Sequence, residues 1–423
     1  MSNQAASLLG KTAWVVRQFT KQIWVRAALF SVAAVVVVLL AAIIGPYIPY
    51  NLSLTLAAGS VDHILNILAS SMLAVTTFSL SIMVSAYSAA TSNVTPRSTE
   101  LLLADSAAQN TLATFVGSFL FSIVGVIGLA AGIYSAKGRI ILFLATLVVL
   151  LIIVATLIRW IEQLGKFGRV GDTIIRVEEA TVPAFKQAGV TPRLGAMPEV
   201  PIPPGAQSAY AARSGMVVHI DAAEIDELAG KHGVMVHIAS MPGSLVHPGR
   251  PILHVAPSVD ATVLENFCDC VTVRNDRDFD QDPRFGVIVL SEIASRALSP
   301  AVNDPGTAIE VLNAGLRVFL ALADAVDKEE SVELERVHAP DLDIDDLFRS
   351  FFNPIARDAS ALAEVQIRMV TVLAALAGQN EALFGKAARH EALELGERAN
   401  KSLASETDRQ IVKTRIREFI GRL

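Results

Sequence analysis

Long apolar runs with few polar side chains occupy the N-terminal part of the chain. The runs 27–46 and 111–134 contain no Asp, Glu, Lys or Arg, and the run 140–160 contains only Arg159 near its end. A helix rises about 1.5 Å per residue, so each run is long enough to cross a hydrocarbon core of about 30 Å. Together with the less uniform run 61–91, these runs predict four membrane-spanning helices.

The positions of lysine and arginine predict the direction in which the helices cross, because cytoplasmic loops carry an excess of both. The loop between the third and fourth predicted spans carries only Lys137 and Arg139. The other basic residues of this region lie in the predicted cytoplasmic segments: Lys11, Arg17, Lys21, Arg26, Arg97, Arg159, Lys166, Arg169 and Arg176. Both termini, and everything after about Gln163, are therefore predicted to be cytoplasmic.

The second predicted span differs from the others because one of its faces is polar. At about 100° per residue, most of its polar side chains fall within an arc of about 100°, whereas Ser71, Thr76 and Ser79 lie outside it. We call this face the polar stripe, and it consists of Asn66, Ser70, Thr77, Ser81, Ser85, Ser88 and Ser92. Small hydroxylated residues allow close helix packing and bond to their own i−4 carbonyls, which makes them tolerable in a membrane helix. The stripe therefore indicates either helix packing or the wall of a water-filled path.

The pore interpretation has a structural requirement. A subunit with four spans offers one such helix, and one helix cannot enclose a pore, so conduction of small ions requires a homo-oligomer, with four or more subunits expected. Asp62 and Arg97 would stand at the two mouths, where a ring of Asp62 favours cations and a ring of Arg97 favours anions. Leu73 and Leu80 border the stripe and would form a dewetting constriction.

Beyond the spans the pattern predicts a cytoplasmic α+β region, so the predicted fold class is an α-helical integral membrane protein carrying such a region. The spacing of glycine and proline in 242–252 resembles that of the barrel-sandwich modules that carry lipoyl and biotinyl groups. However, no lysine lies between the glycines of this stretch to hold a cofactor. From Pro283 onward only helices are predicted, including one over 344–377. The predicted organisation is a transmembrane domain at 1–162, a juxtamembrane helix and proline-rich linker at 163–205, a small β-rich module at 206–275 and a helical domain at 276–423.

Composition and motifs exclude several classes of function. With 35 Lys and Arg against 41 Asp and Glu, the net charge of −6 provides no overall basic field for nucleic acid. The sequence contains no phosphate-binding loop, nucleophile elbow or zinc-protease motif, so no enzymatic activity is predicted. Neither a metal nor a cofactor is predicted, because no ligand-like spacing connects the cysteines and histidines of the β-rich module: His219, His237, His247, His254, Cys268 and Cys270.

A second candidate site lies at the break between two predicted helices, Ser299–Gly306. Asp304 is a good N-cap with Pro305 at the first helical position, and Thr307 with Glu310 has the spacing of a capping box. These features favour a well-capped helical corner. The same residues, with Ser299 and Asn303, also suit a site where helix N–H groups meet a ligand or a neighbouring subunit.

Three stretches together resemble one family. They are Thr-Pro-Arg at 95–97, PGSLVHPGRPI at 242–252 and ALSPAVNDPGTA at 297–308. The last is similar to the ALSPxxNDPxTA signature of the predicted bacterial membrane proteins grouped as domain of unknown function 2254, although Gly306 stands where we expect a bulky aromatic residue. The resemblance implies a prokaryotic inner-membrane location and a plan of four spans followed by a cytoplasmic domain. It implies no substrate and no functional residue.

Two hypotheses about function follow. The first is a homo-oligomeric ion channel or channel-like pore, in which the second span lines the path and the cytoplasmic domain assembles or gates it. The alternative is a membrane-anchored ligand-binding or scaffold protein without transport activity, in which the corner at 299–307 makes the contact. The partners expected are the lipid bilayer, further copies of the chain and, for a channel, small ions.

Overall fold

The computed structural model describes residues 23–44, 55–103, 105–165, 169–326, 328 and 334–421. The chain divides into two compact units. The membrane unit contains Val15–Ser92 and Thr99–Arg169, whereas the C-terminal unit contains Asn93–Ser98 and Val170–Leu423. The short segment Asn93–Ser98, directly after the second predicted span, therefore folds with the C-terminal unit.

Helices account for the described part of the membrane unit. Their bounds are α1 Ile23–Ile44, α2 Thr55–Asn93, α3 Pro96–Leu103, α4 Ser106–Ala130 and α5 Ala136–Leu164. Within the described residues, three stretches are long and apolar enough to cross a membrane: Ser60–Ala89, Ala107–Ala130 and Lys137–Leu164. These stretches correspond to the second, third and fourth predicted spans. The first predicted span overlaps α1, in which a shorter apolar stretch, Ala28–Val37, is found, and positions 45–46 lie outside the described residues.

Capping residues move the boundaries of α4 and α5 away from the ends of the apolar runs. The Asp105 carboxylate accepts hydrogen bonds from the backbone N–H groups of Ala107 and Ala108, so α4 begins before the apolar run at 111. The Ser135 side chain accepts from Gly138 N and starts α5 in the same way. Apolarity marks a span, but the polar N-cap decides where the helix starts.

One face of α2 packs against α4 and α5. Leu68, Met72 and Met83 of α2 share a core with Phe115 and Trp160. A second core contains Val61, Leu65, Phe121, Tyr134 and Leu142. Gly125 permits this approach, because a Cβ there would lie 2.9 Å from Leu65 Cδ1. The absence of a side chain at Gly125 thus serves packing.

After the segment Asn93–Ser98, the C-terminal unit continues with α6, Val170–Val190, and with two sheets that share one apolar core. The larger sheet has the strand order β1-β8-β4-β6-β2, and the smaller has the order β5-β3-β7. The strands are β1 Ala196–Pro198, β2 Gln207–Tyr210, β3 Gly215–Ile220, β4 Met235–Ile238, β5 Leu245–Val246, β6 Pro251–Ala256, β7 Val271–Arg274 and β8 Leu334–Ala339. Two helices, α7 Ala222–His232 and α8 Ala261–Asp269, connect strands of this module. A barrel-sandwich arrangement stays a prediction.

The larger sheet includes two strands from outside 206–275. β1 lies within the proline-rich segment and pairs in parallel with β8. β8 also pairs in parallel with β4, and its Val337 and Ala339 side chains are buried in the shared core. The expectation that only helices follow Pro283 is therefore wrong, because this alternating stretch returns to complete the sheet.

A helical bundle follows. Its helices are α9 Pro283–Ala297, α10 Pro305–Val326, α11 Ile344–Asp358, α12 Ala363–Gln379, α13 Glu381–Ser402 and α14 Glu406–Ile420. The predicted helix 344–377 is thus two helices. The buried Gln366 side chain donates to the carbonyl oxygens of Ala359 and Ser360, at 3.2 and 2.7 Å, and satisfies backbone groups at the break.

Candidate functional site

The polar stripe lies on the face of α2 that does not pack against the rest of the membrane unit. The buried residues Leu65, Met72 and Met83 and the stripe residues lie about half a turn apart at about 100° per residue. The stripe side chains that the structure describes are all exposed: Asn66, Ser70, Thr77, Ser81, Ser85 and Ser88. Ser92 lies in the last turn of α2, and its side chain is outside the described part. The stripe is therefore not used for packing within its own unit.

Several stripe residues satisfy their polar groups on their own helix. The Ser70 hydroxyl donates to the carbonyl oxygen of Asn66 at 3.1 Å, and the Thr77 hydroxyl donates to that of Leu73 at 2.8 Å. Asn66 Nδ2 donates to Asp62 O at 2.9 Å. A hydroxyl bonded in this way keeps its lone pairs available while its hydrogen is engaged. The exposed stripe thus offers acceptor oxygens to whatever lies against it.

Apolar side chains flank the stripe. Leu73 and Leu80, the predicted constriction, are exposed to 53% and 50%. Phe78, Val84 and Ile67 are exposed on the same half of α2. Exposed apolar flanks around a polar centre suit contact with lipid or with neighbouring helices at the edges of the stripe.

The two predicted mouths have different environments. Asp62 is exposed, and its Oδ1 lies 3.3 Å from Asn66 Nδ2. Arg97 is also exposed, but its Nη1 lies 2.5 Å from Glu292 Oε1 of α9. The other oxygen of Glu292, Oε2, accepts a 2.9 Å hydrogen bond from the buried Thr95 hydroxyl. The charge of Arg97 is therefore balanced by a carboxylate.

Glu292 is a functional candidate that sequence reasoning missed. It contacts the first and last residues of the Thr-Pro-Arg motif, Thr95 and Arg97, and we call this contact the Glu292 clamp. Its Arg97 partner is 195 positions away in the chain, and nothing in the pattern of α9 distinguishes Glu292 from other solvent-facing acids. All three residues belong to the C-terminal unit, so the segment that follows α2 is held by α9.

The corner at 299–307 is a compact turn with its polar groups largely engaged. Asp304 Oδ1 accepts from Thr307 N at 3.1 Å, and Oδ2 accepts from the Thr307 hydroxyl at 2.7 Å. These bonds lower the pKa of Asp304 below its usual value, because they stabilise the carboxylate. The Ser299 hydroxyl donates to Arg296 O. The Asp304 cap is confirmed, but Thr307 is its partner at the third helical position and does not itself cap the helix.

Asn303 differs from the other corner residues. It is exposed, and its φ of 51° lies in the left-handed region, which asparagine tolerates better than most residues. Ser299, Asn303, Asp304 and Thr307 are thus brought together, but mainly to close the turn.

Three histidines form a row across the larger sheet. His237 of β4 is in register with His254 on one side and with His338 on the other. The rings of His237 and His338 stack with centroids 5.0 Å apart. Burial lowers the pKa of His237, and the two neighbouring histidines lower it further. His338 was not predicted to belong to this group, because no strand was predicted after Pro283.

The row is not arranged as a metal site, since stacked rings cannot direct their nitrogens at one ion. Throughout the described ranges, no group of three or more His, Cys, Asp or Glu side chains is placed to hold a metal.

Comparison with known proteins identifies relatives. The profile of the family described as "Predicted membrane protein (DUF2254)" matches residues 20–375. An uncharacterized protein of Mycobacterium bovis is 32% identical over 146 residues, which is 32% of this chain and 28% of the relative. An uncharacterized protein of Mycobacterium tuberculosis matches equally well. The aligned segment therefore spans well under half of these curated relatives. No solved structure matches the chain significantly.

Proposed function

Since the chain belongs to the domain-of-unknown-function 2254 family of predicted membrane proteins, we propose a function exercised in the membrane: a homo-oligomeric ion channel or channel-like pore lined by α2. The observation that carries the proposal is the exposed position of the polar stripe. Its side chains face away from the apolar face on which α2 packs against α4 and α5. In a membrane, such a face lies against lipid, against another helix or against water.

A homo-oligomer would account for the exposed position of the polar stripe. Copies of α2 around a common axis would turn the stripes toward a central path and bury the apolar flanks between subunits. Helix association in lipid depends on close packing and interhelical hydrogen bonds, which small residues provide. Leu73 and Leu80, at the edge of the stripe, would form the narrowest and driest level of such a path.

The proposed topology adds α1 as a fourth span, with both termini in the cytoplasm of a prokaryotic inner membrane. The excess of lysine and arginine on one side supports this direction. The C-terminal unit would then be cytoplasmic. The Glu292 clamp provides a route by which a movement of α9 would reach the segment that ends α2.

The test is ion flux through the purified full-length protein in lipid vesicles. We expect Ser81→Leu to abolish flux without changing the oligomeric mass, because leucine replaces a polar wall with an apolar one. Ser71→Leu is the matched control, since Ser71 is on the same helix and donates to Leu68 O but lies outside the stripe. Unchanged flux in Ser81→Leu would remove the stripe from the mechanism, and a monomeric protein would remove the pore.

The alternative function is that of a membrane-anchored ligand-binding or scaffold protein. The exposed Asn303, held at the tip of the 299–307 corner, favours it. Asn303→Gly retains the left-handed backbone and removes the side chain. If the alternative holds, this variant loses complex formation in a cross-linking assay, whereas Ser81→Leu is without effect.

A further inference from the structure

The C-terminal unit contains a cavity of about 610 Å³ next to the PGSLVHPGRPI stretch. It lies where the end of α6, the turn at 239–245 and the first residues of α9 and α11 come together. Its volume is within the range of pockets for small organic ligands, roughly 300–1,000 Å³. Neither the proposed pore nor the 299–307 corner includes it.

The aspartates that line the cavity are engaged by structural partners. Asp282 accepts two hydrogen bonds from the guanidinium of Arg277, at 2.7 and 2.9 Å, and one from Phe285 N at the start of α9. Asp341 lies 2.6 Å from Arg193 Nη1. The carboxylates thus neutralise two of the four arginines in the lining and hold their guanidinium groups in place.

The other two aspartates of the lining, Asp346 and Asp343, are also engaged by partners within the fold. Asp346 lies 2.9 Å from Arg284 Nε. Asp343 accepts from Asp346 N and caps the N-terminus of α11. These aspartates are therefore used by the fold itself.

Arg250 is the exception in this lining. Its guanidinium donates to the carbonyl oxygen of Leu245 at 3.1 Å, and it has no carboxylate partner among the described residues. The remaining N–H groups of a guanidinium are strong donors that favour carboxylate and phosphate oxygens. Arg250 is therefore the lining arginine without a carboxylate among the described residues, while Asp343, which is engaged as a helix cap, is the lining aspartate without an arginine.

Much of the rest of the wall is apolar. Leu194, Met216, Met241, Leu342 and Leu347 contribute to it, and each is at least partly buried. Apolar walls with a few placed polar groups are the usual composition of small-molecule sites, in which the polar groups fix the orientation. A ligand of this cavity would thus carry an apolar body as well as an anionic group.

Gly243, in the Pro-Gly-Ser turn, shows that this wall of the cavity is tightly packed. Gly243 has a φ of 87°, and a Cβ there would lie 2.5 Å from Asp282 Oδ2. Its N–H donates to Val217 O at 2.8 Å. The turn therefore packs directly against the Arg277–Asp282 pair. This contact is a structural role of the 242–252 stretch that the sequence did not indicate.

From these observations we infer that the cavity binds a small organic anion, in which a phosphate or carboxylate group meets Arg250 and an apolar portion fills the space between Met216, Met241 and Leu347. This inference stands without the channel proposal, because binding is measured directly.

The test uses the full-length protein in detergent with two probes, adenosine monophosphate and decanoate, and measures binding by calorimetry. We expect binding that weakens as salt is raised, because the contact is charged. Arg250→Ala should weaken it about tenfold or more, as expected for a hydrogen bond to a charged group. Binding of either probe that weakens with salt and with Arg250→Ala supports the inference. Binding of adenosine monophosphate would identify a phosphate as the anionic group, and binding of decanoate would identify a carboxylate.

Two further variants separate a site from general attraction. Arg213→Ala is the matched control, since Arg213 is also an exposed arginine that donates to a backbone carbonyl, that of Val273, but lies outside the cavity. Ala239→Trp places a large side chain at an exposed lining position and should abolish binding. Equal weakening in Arg213→Ala, unaltered binding in Ala239→Trp, or dissociation constants weaker than about 1 mM for both probes would each overturn the inference.

Discussion

The polar groups of α2 and those of the C-terminal unit are satisfied in different ways. On α2, the stripe residues bond to carbonyls three or four positions earlier and remain exposed. The C-terminal unit has local pairs as well, but it also has partners that are far apart in the chain, as in Arg193 with Asp341 and Arg97 with Glu292. Locally satisfied groups leave a helix face free for another subunit or for water. Groups satisfied at long range are used to hold the unit together.

The largest effect is expected where the C-terminal unit is most densely packed. Phe319 contacts the rings of Phe185, Phe348, Phe351, Phe352 and Phe384. We expect Phe319→Ala to lower the free energy of unfolding by about 3–5 kcal/mol, because it removes a buried ring and leaves a cavity. Thermal denaturation followed by circular dichroism would measure this.

Two controls make that result informative about α2. Leu393→Ala, at an exposed position of α13, should lower the free energy of unfolding much less than Phe319→Ala does. Ser70→Ala in the stripe should change stability by less than about 0.5 kcal/mol, as is usual for an exposed residue. A loss for Ser70→Ala as large as that for Phe319→Ala would break the comparison, since it would mean that the stripe is packed against something.

An intermediate effect is expected at the Glu292 clamp. Replacing Glu292 by alanine removes the acceptor of the buried Thr95 hydroxyl and the partner of Arg97. We expect a loss of about 1 kcal/mol, most of it from Thr95, because the Arg97 pair is half exposed and screened. A double-mutant cycle with Thr95→Val should therefore show a larger coupling energy than one with Arg97→Ala, and the reverse order would contradict this assignment.

A further effect depends on pH. Burial raises the pKa of Glu391 to about 7, and the neighbouring Glu394 adds to the shift. A raised pKa in the folded state means that the protonated form is preferred, so this contribution to stability is present below about 4.5 and is lost as the pH rises through about 7.

Glu391→Gln should remove that dependence. We expect the Tm of the variant to exceed that of the wild type by about 2–4 °C at pH 8, and the difference to be smaller at pH 5. Glu397→Gln is the control at an exposed position on the same helix. A Tm difference that does not change with pH would show that Glu391 does not titrate in this range.

Much of the architecture follows from rules that act over a few residues. The apolar runs predicted the second to fourth spans, and the Asp304 cap with Pro305 predicted the start of α10. The break within 344–377 was missed, because it depends on a side chain that reaches back to satisfy carbonyls six and seven positions earlier.

The periodicity of α2 alone determined the composition of the polar stripe, because a helix places side chains by a constant angle. Its exposure was decided only when the opposite face packed against α4 and α5. The Glu292 clamp, the strand β8 and the cavity lined by Arg250 were likewise decided only by the tertiary structure. Each joins segments that lie far apart in the chain, and residue spacing carries no information about which distant groups come to match in charge, register and shape.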